Sequence, residues 1–243
     1  MISVVIAAYN EANRISPSLL NISEYLCNKQ LEHEIIVVDD GSNDDTSEVA
    51  GALASRIHNL KVIRYPENRG KGYALRQGVL ASKGALVLVS DADLSTPIEE
   101  IEKLMPLIIE KKCKIAIGSR GLSHSEIIVK QPWLRQKMGK IFNRIIRVLV
   151  LDGFSDTQCG FKLFSGNIAR QLFKEAQIDR FAYDVEILAR AKKNGYEISE
   201  VPVRWINSFD SKVHPFSDSL QMLGDIIKIR RLLGKERNSS KTL

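Results

Sequence analysis

Cysteine is scarce: the 243 residues hold three, Cys27, Cys113 and Cys159, with no Cys-x-x-Cys spacing. An odd, scattered set excludes a disulfide framework and a thiolate zinc site, and it fits a reducing compartment. The seven prolines and fifteen glycines are dispersed, so there is no collagen period, Pro-rich linker or low-complexity tract, and no internal repeat. Long hydrophobic runs are missing as well. No apolar stretch approaches the roughly 18 to 20 residues that a spanning helix needs, and the chain enters a strand-like run at Ile2 with no basic segment before it. Neither a secretory leader nor a membrane span is expected. The first loop, Ala7-Ala8-Tyr9-Asn10-Glu11, has no Gly-x-Gly-x-x-Gly, and no Walker lysine motif occurs, which removes dinucleotide-binding and P-loop readings.

What is present suits one globular domain, expected over residues 1–233 with a basic tail at 234–243. Apolar residues make up 44% of the chain, enough to exclude disorder, and the net charge is +6. That charge is unevenly placed. Residues 127–151 hold six basic residues and no acid, and residues 228–243 hold six basic and one acidic, so the remainder is net acidic. Such separation of sign points to an anionic partner on one face. Nucleic acid fits poorly, because there is no recognition-helix pattern and no basic strand interleaved with aromatics.

The first half alternates short Val- and Ile-rich runs (SVVIAAY, EIIVVDD, KVIRY, ALVLVSDAD) with amphipathic stretches ending near Cys27, Arg56 and Ser82. This reads as α/β, a mostly parallel sheet flanked by helices. A helix from Pro97 to about Lys111 and the strand KIAIGSR extend it. Thereafter 127–151 reads as helical and basic. A short strand near Gly160–Phe164, a helix near Tyr183–Asn194, a strand EISEVPVRW and a closing amphipathic helix from about Asp218 to Leu233 complete the chain.

Ligands of open parallel sheets sit beyond the carboxyl ends of the strands. Four of those ends are polar here: Tyr9-Asn10-Glu11, Asp39-Asp40-Gly41-Ser42, Glu67-Asn68-Arg69-Gly70-Lys71-Gly72, and Asp91-Ala92-Asp93. Asp91 and Asp93 can direct two carboxylates to one hard cation that also holds a diphosphate. Asp39 can accept from the imide of a base, while Asp40 or Ser42 can equally cap the next helix. Arg69 and Lys71 sit between glycines at a helix start, either approaching a diphosphate or forming a plain turn.

The runs AAYNE, VVDDGS, ENRGKGYAL, DADLSTP, GSR, DTQCGFKLF, FAYDVEIL and EVPVRWINSFDSKVHPFSDSLQM together resemble family-2 glycosyltransferases, most closely the dolichyl-phosphate glucosyltransferases. The resemblance runs in order from Ser3 to about Arg230. The metal block is also close to that of dolichyl-phosphate mannose synthases. The resemblance implies a GT-A fold, a nucleoside-diphosphate sugar, a divalent cation (Mg2+ or Mn2+) and inversion at the anomeric carbon. It implies that Ala7, Tyr9, Glu11, Asp39, Asp40, Arg69, Lys71, Asp91 and Ala92 line the nucleotide, Asp91 and Asp93 the metal, and Arg120, Asp156 and Lys212 the reaction zone. The expected reaction moves glucose from UDP-glucose to a polyprenyl or dolichyl phosphate. GDP-mannose or UDP-GlcNAc is the alternative donor.

A lipid monophosphate is largely ionised near pH 7, since its second ionisation lies near about 6, and as a nucleophile it needs no general base. A hydroxyl acceptor would need one, and Asp184 or Glu186 could serve. Asp184 could equally be the partner of a nearby cation, and Asp156 could position the acceptor or a neighbouring arginine, or cap a turn. Lys137, Lys140, Arg144 and Arg147 recur at spacings of three, four and three on one helical stripe, with Met138, Ile141, Phe142, Ile145, Ile146 and Leu149 on another. A basic amphipathic helix of this kind lies in the headgroup plane, so peripheral attachment to the cytoplasmic face of a membrane is expected. The competing account makes the apolar stripe ordinary core.

Overall fold

The computed structural model describes residues 1–129, 133–207 and 215–239, and within these all side chains except those of residues 133–138, 140, 215–219 and 235–239. Seven strands form the main sheet. In chain order they are β1 (Ile2–Ala8), β2 (His33–Asp39), β3 (Leu60–Arg64), β4 (Leu86–Asp91), β5 (Ile115–Ser119), β7 (Lys162–Ser165) and β8 (Ile198–Pro202). Their spatial order is β3-β2-β1-β4-β7-β5-β8, and only β7 runs antiparallel to its neighbours.

The strands are apolar on both sides because helices cover both faces. Alternate side chains divide accordingly: Val5, Ile36, Val38, Val87 and Val89 enter one core, and Val4, Ile6, Ile35, Val37 and Leu88 the other. Helices α1 (Ala12–Asn28), α2 (Thr46–Ala52) and α4 (Ile101–Ile109) supply the second core. Helix α3 (Lys71–Ala81), with α5 (Trp133–Leu149), α6 (Gly166–Glu175), α7 (Tyr183–Lys193) and α8 (Pro215–Ser239), supplies the first.

Four expectations need correction. Residues 126–129, at the start of the stretch read as helical, form strand β6 (Glu126–Val129). It pairs in parallel with β9 (Arg204–Ile206), so EISEVPVRW is two strands broken at Val203 rather than one. Helix α6 was not expected, although Ile168, Ala169, Leu172 and Phe173 give it a buried stripe at helical spacing. The last helix also runs on to Ser239, through six of the ten residues expected as a tail.

The stripe on α5 is divided. Ile146 is buried, and Phe142, Ile145 and Leu149 pack against the same core, together with Met222, Ile226 and Ile229 of α8. Ile141 and Val148 are exposed, as are Leu220, Leu223 and Ile227 on α8. Arg144 and Arg147 are exposed, while the side chains of Lys137 and Lys140 lie outside the described residues. Core packing therefore accounts for four of the six stripe residues and leaves Ile141, with Val148, as apolar surface beside two arginines.

Candidate functional site

Register brings the strand ends together. Ala7 of β1 lies opposite Asp91 of β4 and Val38 of β2, and Ala8 opposite Asp39, so the loops after β1, β2 and β4 leave one rim. The first two loops are tied to each other. Asn10 N–H donates to Ser42 Oγ (2.9 Å), Asn43 N–H to Asn10 Oδ1 (2.9 Å) and Glu11 N–H to Thr46 Oγ1 (2.8 Å).

Within this rim the two aspartates after β2 stay inside. Asp39 is fully buried and accepts from Ser42 N–H (2.9 Å) and Ser47 Oγ (2.6 Å). Asp40 accepts from Tyr65 Oη, Asn68 Nδ2, Arg69 N–H and Gly70 N–H, all within 2.9 Å, and so fixes the segment leading to α3. Burial pushes its carboxyl above the usual range against those four donors. Gly41 makes the approach of the two segments possible: its φ is +68°, and a Cβ there would lie 2.5 Å from the carbonyl carbon of Glu67. The site residue Glu11 is engaged by the Arg14 guanidinium at 2.6 and 2.7 Å. Arg14 also reaches to 3.9 Å from Asp93, a bridge that sequence reading did not anticipate.

Asp91 and Asp93 remain partly open, with side chains 32% and 21% exposed. Lys71, the first residue of α3, places its ammonium on Asp91 Oδ1. Burial would raise the Asp91 carboxyl, and the Lys71 charge overrides it, so Asp91 is held ionised below its ordinary range. Arg69 instead turns outward and stacks on the Tyr73 ring at 3.6 Å. Among the described residues no three His, Cys, Asp or Glu side chains gather to hold a metal ion. Two carboxylates at one strand end are still the donor set of a hard divalent cation that takes its other ligands from phosphate oxygens and water, and the residues fit such an ion.

The opposite wall comes from the β5 end and the segment before β7. Arg120 donates from its backbone N–H (3.1 Å), Nε (2.6 Å) and Nη2 (3.0 Å) to Asp156, and its guanidinium lies 5.4 Å from the Trp205 ring centroid. Burial alone would raise Asp156; the arginine overrides this and holds it at about 2. Glu200 fixes the same turn by accepting from Ser155 N–H (3.0 Å) and Asp156 N–H (2.8 Å). Asp156 therefore positions an arginine, and it also caps its own turn by accepting from Gln158 N–H (3.0 Å).

Lys162 and Gly160 were not singled out from sequence. Lys162 is buried and donates to Asp184 at 2.5 Å and to the Cys159 carbonyl. Gly160 abuts the Asp91 carboxylate so closely that any Cβ would overlap it. Of the two carboxylates weighed as bases, Asp184 is thus paired with Lys162. Glu186 is 1% exposed and accepts from Gln177 N–H, Ile178 N–H and Arg190 Nε. Lys212 lies outside the described residues.

The description of glycosyl transferase family 2 matches residues 3–173. The dolichyl-phosphate beta-glucosyltransferase of Dictyostelium discoideum is 37% identical over 240 residues, covering 94% of this chain and 73% of that one. The human protein of the same name is 36% identical over 241 residues, 94% and 74% of the two chains. Among solved structures, glucosyl-3-phosphoglycerate synthase of Mycobacterium tuberculosis with Mn2+, UDP-glucose and phosphoglyceric acid superposes with a TM-score of 0.70 at 19% identity, over 95% of this chain and 79% of that one. Mannosyl-3-phosphoglycerate synthase of Rubrobacter xylanophilus gives 0.73 at 20% identity, over 97% and 75%. The fold is therefore GT-A, as expected.

Proposed function

The chain belongs to glycosyl transferase family 2, and we propose that it transfers glucose, with inversion, from UDP-glucose to a polyprenyl or dolichyl phosphate at the cytoplasmic face of a membrane. The relatives' shared name supports the sugar and the acceptor. The observation that carries the reading is the Arg120–Asp156 pair within electrostatic reach of Asp91: a guanidinium held in fixed orientation suits a phosphate nucleophile facing the donor.

An ionised phosphate needs orientation rather than deprotonation. Arg120 would hold its oxygens in line with the anomeric carbon, and Lys71 would face the departing diphosphate. Asp91 and Asp93 would hold Mg2+ or Mn2+, which when bound neutralises charge on that diphosphate. Tyr9 and Glu11 border the donor side of the rim. A hydroxyl acceptor with a carboxylate base is less well supported, because Asp184 is paired with Lys162 and Glu186 is enclosed by its own donors. The test is a panel of radiolabelled UDP-glucose, GDP-mannose and UDP-GlcNAc with detergent-dispersed polyprenyl phosphate and Mn2+. Label should enter the organic phase from UDP-glucose; entry from GDP-mannose alone would reassign the sugar, and none from any donor would remove the activity.

Among the described residues no helix is long and apolar enough to cross a membrane. Peripheral attachment through α5 and α8 is supported by exposed Ile141, Val148, Leu220 and Ile227 beside Arg144 and Arg147. Four cations near an anionic surface contribute about 4 kcal/mol. Changing Lys137, Lys140, Arg144 and Arg147 to Gln together should release the protein from phosphatidylserine vesicles in a sedimentation assay while leaving its melting temperature unchanged. Undiminished sedimentation would defeat the attachment.

A further inference from the structure

Lys162 is 1% exposed, and its partner Asp184 is 5% exposed. In β7 the lysine lies between Val89 of β4 and Ile117 of β5, within a sheet whose buried side chains are mostly Val, Ile and Leu. A buried ion pair is a poor choice for stability alone, because apolar side chains of similar volume at such sites are often neutral or better. The third partner indicates a use for it. The Lys162 ammonium also holds the carbonyl of Cys159, the residue before the glycine that abuts Asp91.

The turn 155–160 is thus held at three points: by Glu200 at its start, by Arg120 on Asp156, and by Lys162 at Cys159. One end carries the anchor of Arg120, and the other backs the Asp91 carboxylate. We propose that the buried Lys162–Asp184 pair is a positioning device that locks this turn and sets Arg120 and Asp91 in register with each other. Neither member touches substrate. The pair acts through Cys159 and Gly160, and Asp184 serves as the counter-ion that keeps the ammonium in place. The assignment rests on Arg120 as the acceptor's holder and Asp91 as a donor-side group.

The test is the double variant Lys162→Met/Asp184→Leu, which replaces the pair by apolar side chains of similar size and leaves no lone buried charge. The melting temperature should hold or rise. The kcat for glucose transfer should fall about 10²-fold, as expected for misplacement of reacting groups by about an ångström, while the Kd for UDP without Mn2+ stays within about threefold. Gly160→Ala strains the same end of the turn, next to Cys159, against the Asp91 carboxylate and should give a similar loss in kcat, so the question is still decided if the double variant does not fold. Full kcat in a folded double variant, or in Gly160→Ala, overturns the proposal and makes the pair structural only. Absence of transfer by the unaltered chain with every donor would be a different failure, that of the reaction assigned to the site.

Discussion

Asp93→Ala should lower glucose transfer by about 10³-fold or more, measured as Mn2+-dependent incorporation of label into the lipid phase. The fold has little reason to change. Asp93 Oδ1 accepts from Ser95 N–H at 3.0 Å and Oδ2 lies 3.9 Å from Arg14, partly exposed contacts whose loss costs about 1 kcal/mol. The donor site has much to lose. With Asp93 gone, Asp91 is the only carboxylate left from this strand end, and it already carries the Lys71 ammonium. A divalent ion would then compete with a built-in cation for a single carboxylate. UDP affinity in the presence of Mn2+ should therefore fall along with turnover, and UDP affinity in its absence should not. A variant that keeps most of its activity would remove Asp93 from metal binding.

That prediction draws on the most legible part of the chain. The runs SVVIAAY, EIIVV and ALVLVS announce buried parallel strands because consecutive Val, Ile and Leu leave no face for water, and the residues that follow each run are placed at one rim by the topology of such sheets. What lies past residue 125 was harder. The orientation of β7 is not written in KLFS, since the same apolar alternation serves a parallel or an antiparallel strand; only the chain path from β5 decides it. Strand β6 was lost because Ile127, Ile128 and Val129 adjoin a basic helix, and an apolar run of that length carries no period of its own.

The site divides in the same way. Asp91, Asp93, Arg120 and Asp156 stood out as polar residues at strand ends or in a motif. Lys162 did not, because a lysine inside a short strand reads as an exposed edge position until its acceptors, Asp184 and the Cys159 carbonyl, are seen 22 and 3 residues away. Glu200 was hidden for a similar reason: it sits in β8 as one more polar residue in an alternating strand, and its part in holding Ser155 and Asp156 depends on a contact spanning 45 residues. Asp39, the last residue of β2, was legible as a group facing the base, but its local acceptor contacts with Ser42 N–H and Ser47 Oγ were not.

Arg120→Lys should reduce kcat/KM for polyprenyl phosphate about 10²-fold while leaving UDP affinity nearly unchanged. Lysine keeps the charge but loses the planar fork that binds Asp156 through Nε and Nη2, and with it the placement beside Trp205. A flexible ammonium can neutralise a phosphate without holding its oxygen on the line of attack, so the deficit belongs to the acceptor and not to the donor. The pH profile separates this from an acid–base role. Asp156 titrates at about 2, so the anchor stays ionised through the whole assay range. The rise in rate with pH should come from the acceptor phosphate losing its second proton near about 6, and the Arg120→Lys variant should keep that limb at a lower plateau. If the limb vanished with the arginine, the titrating group would belong to the protein; if the plateau did not fall, the acceptor would be held elsewhere.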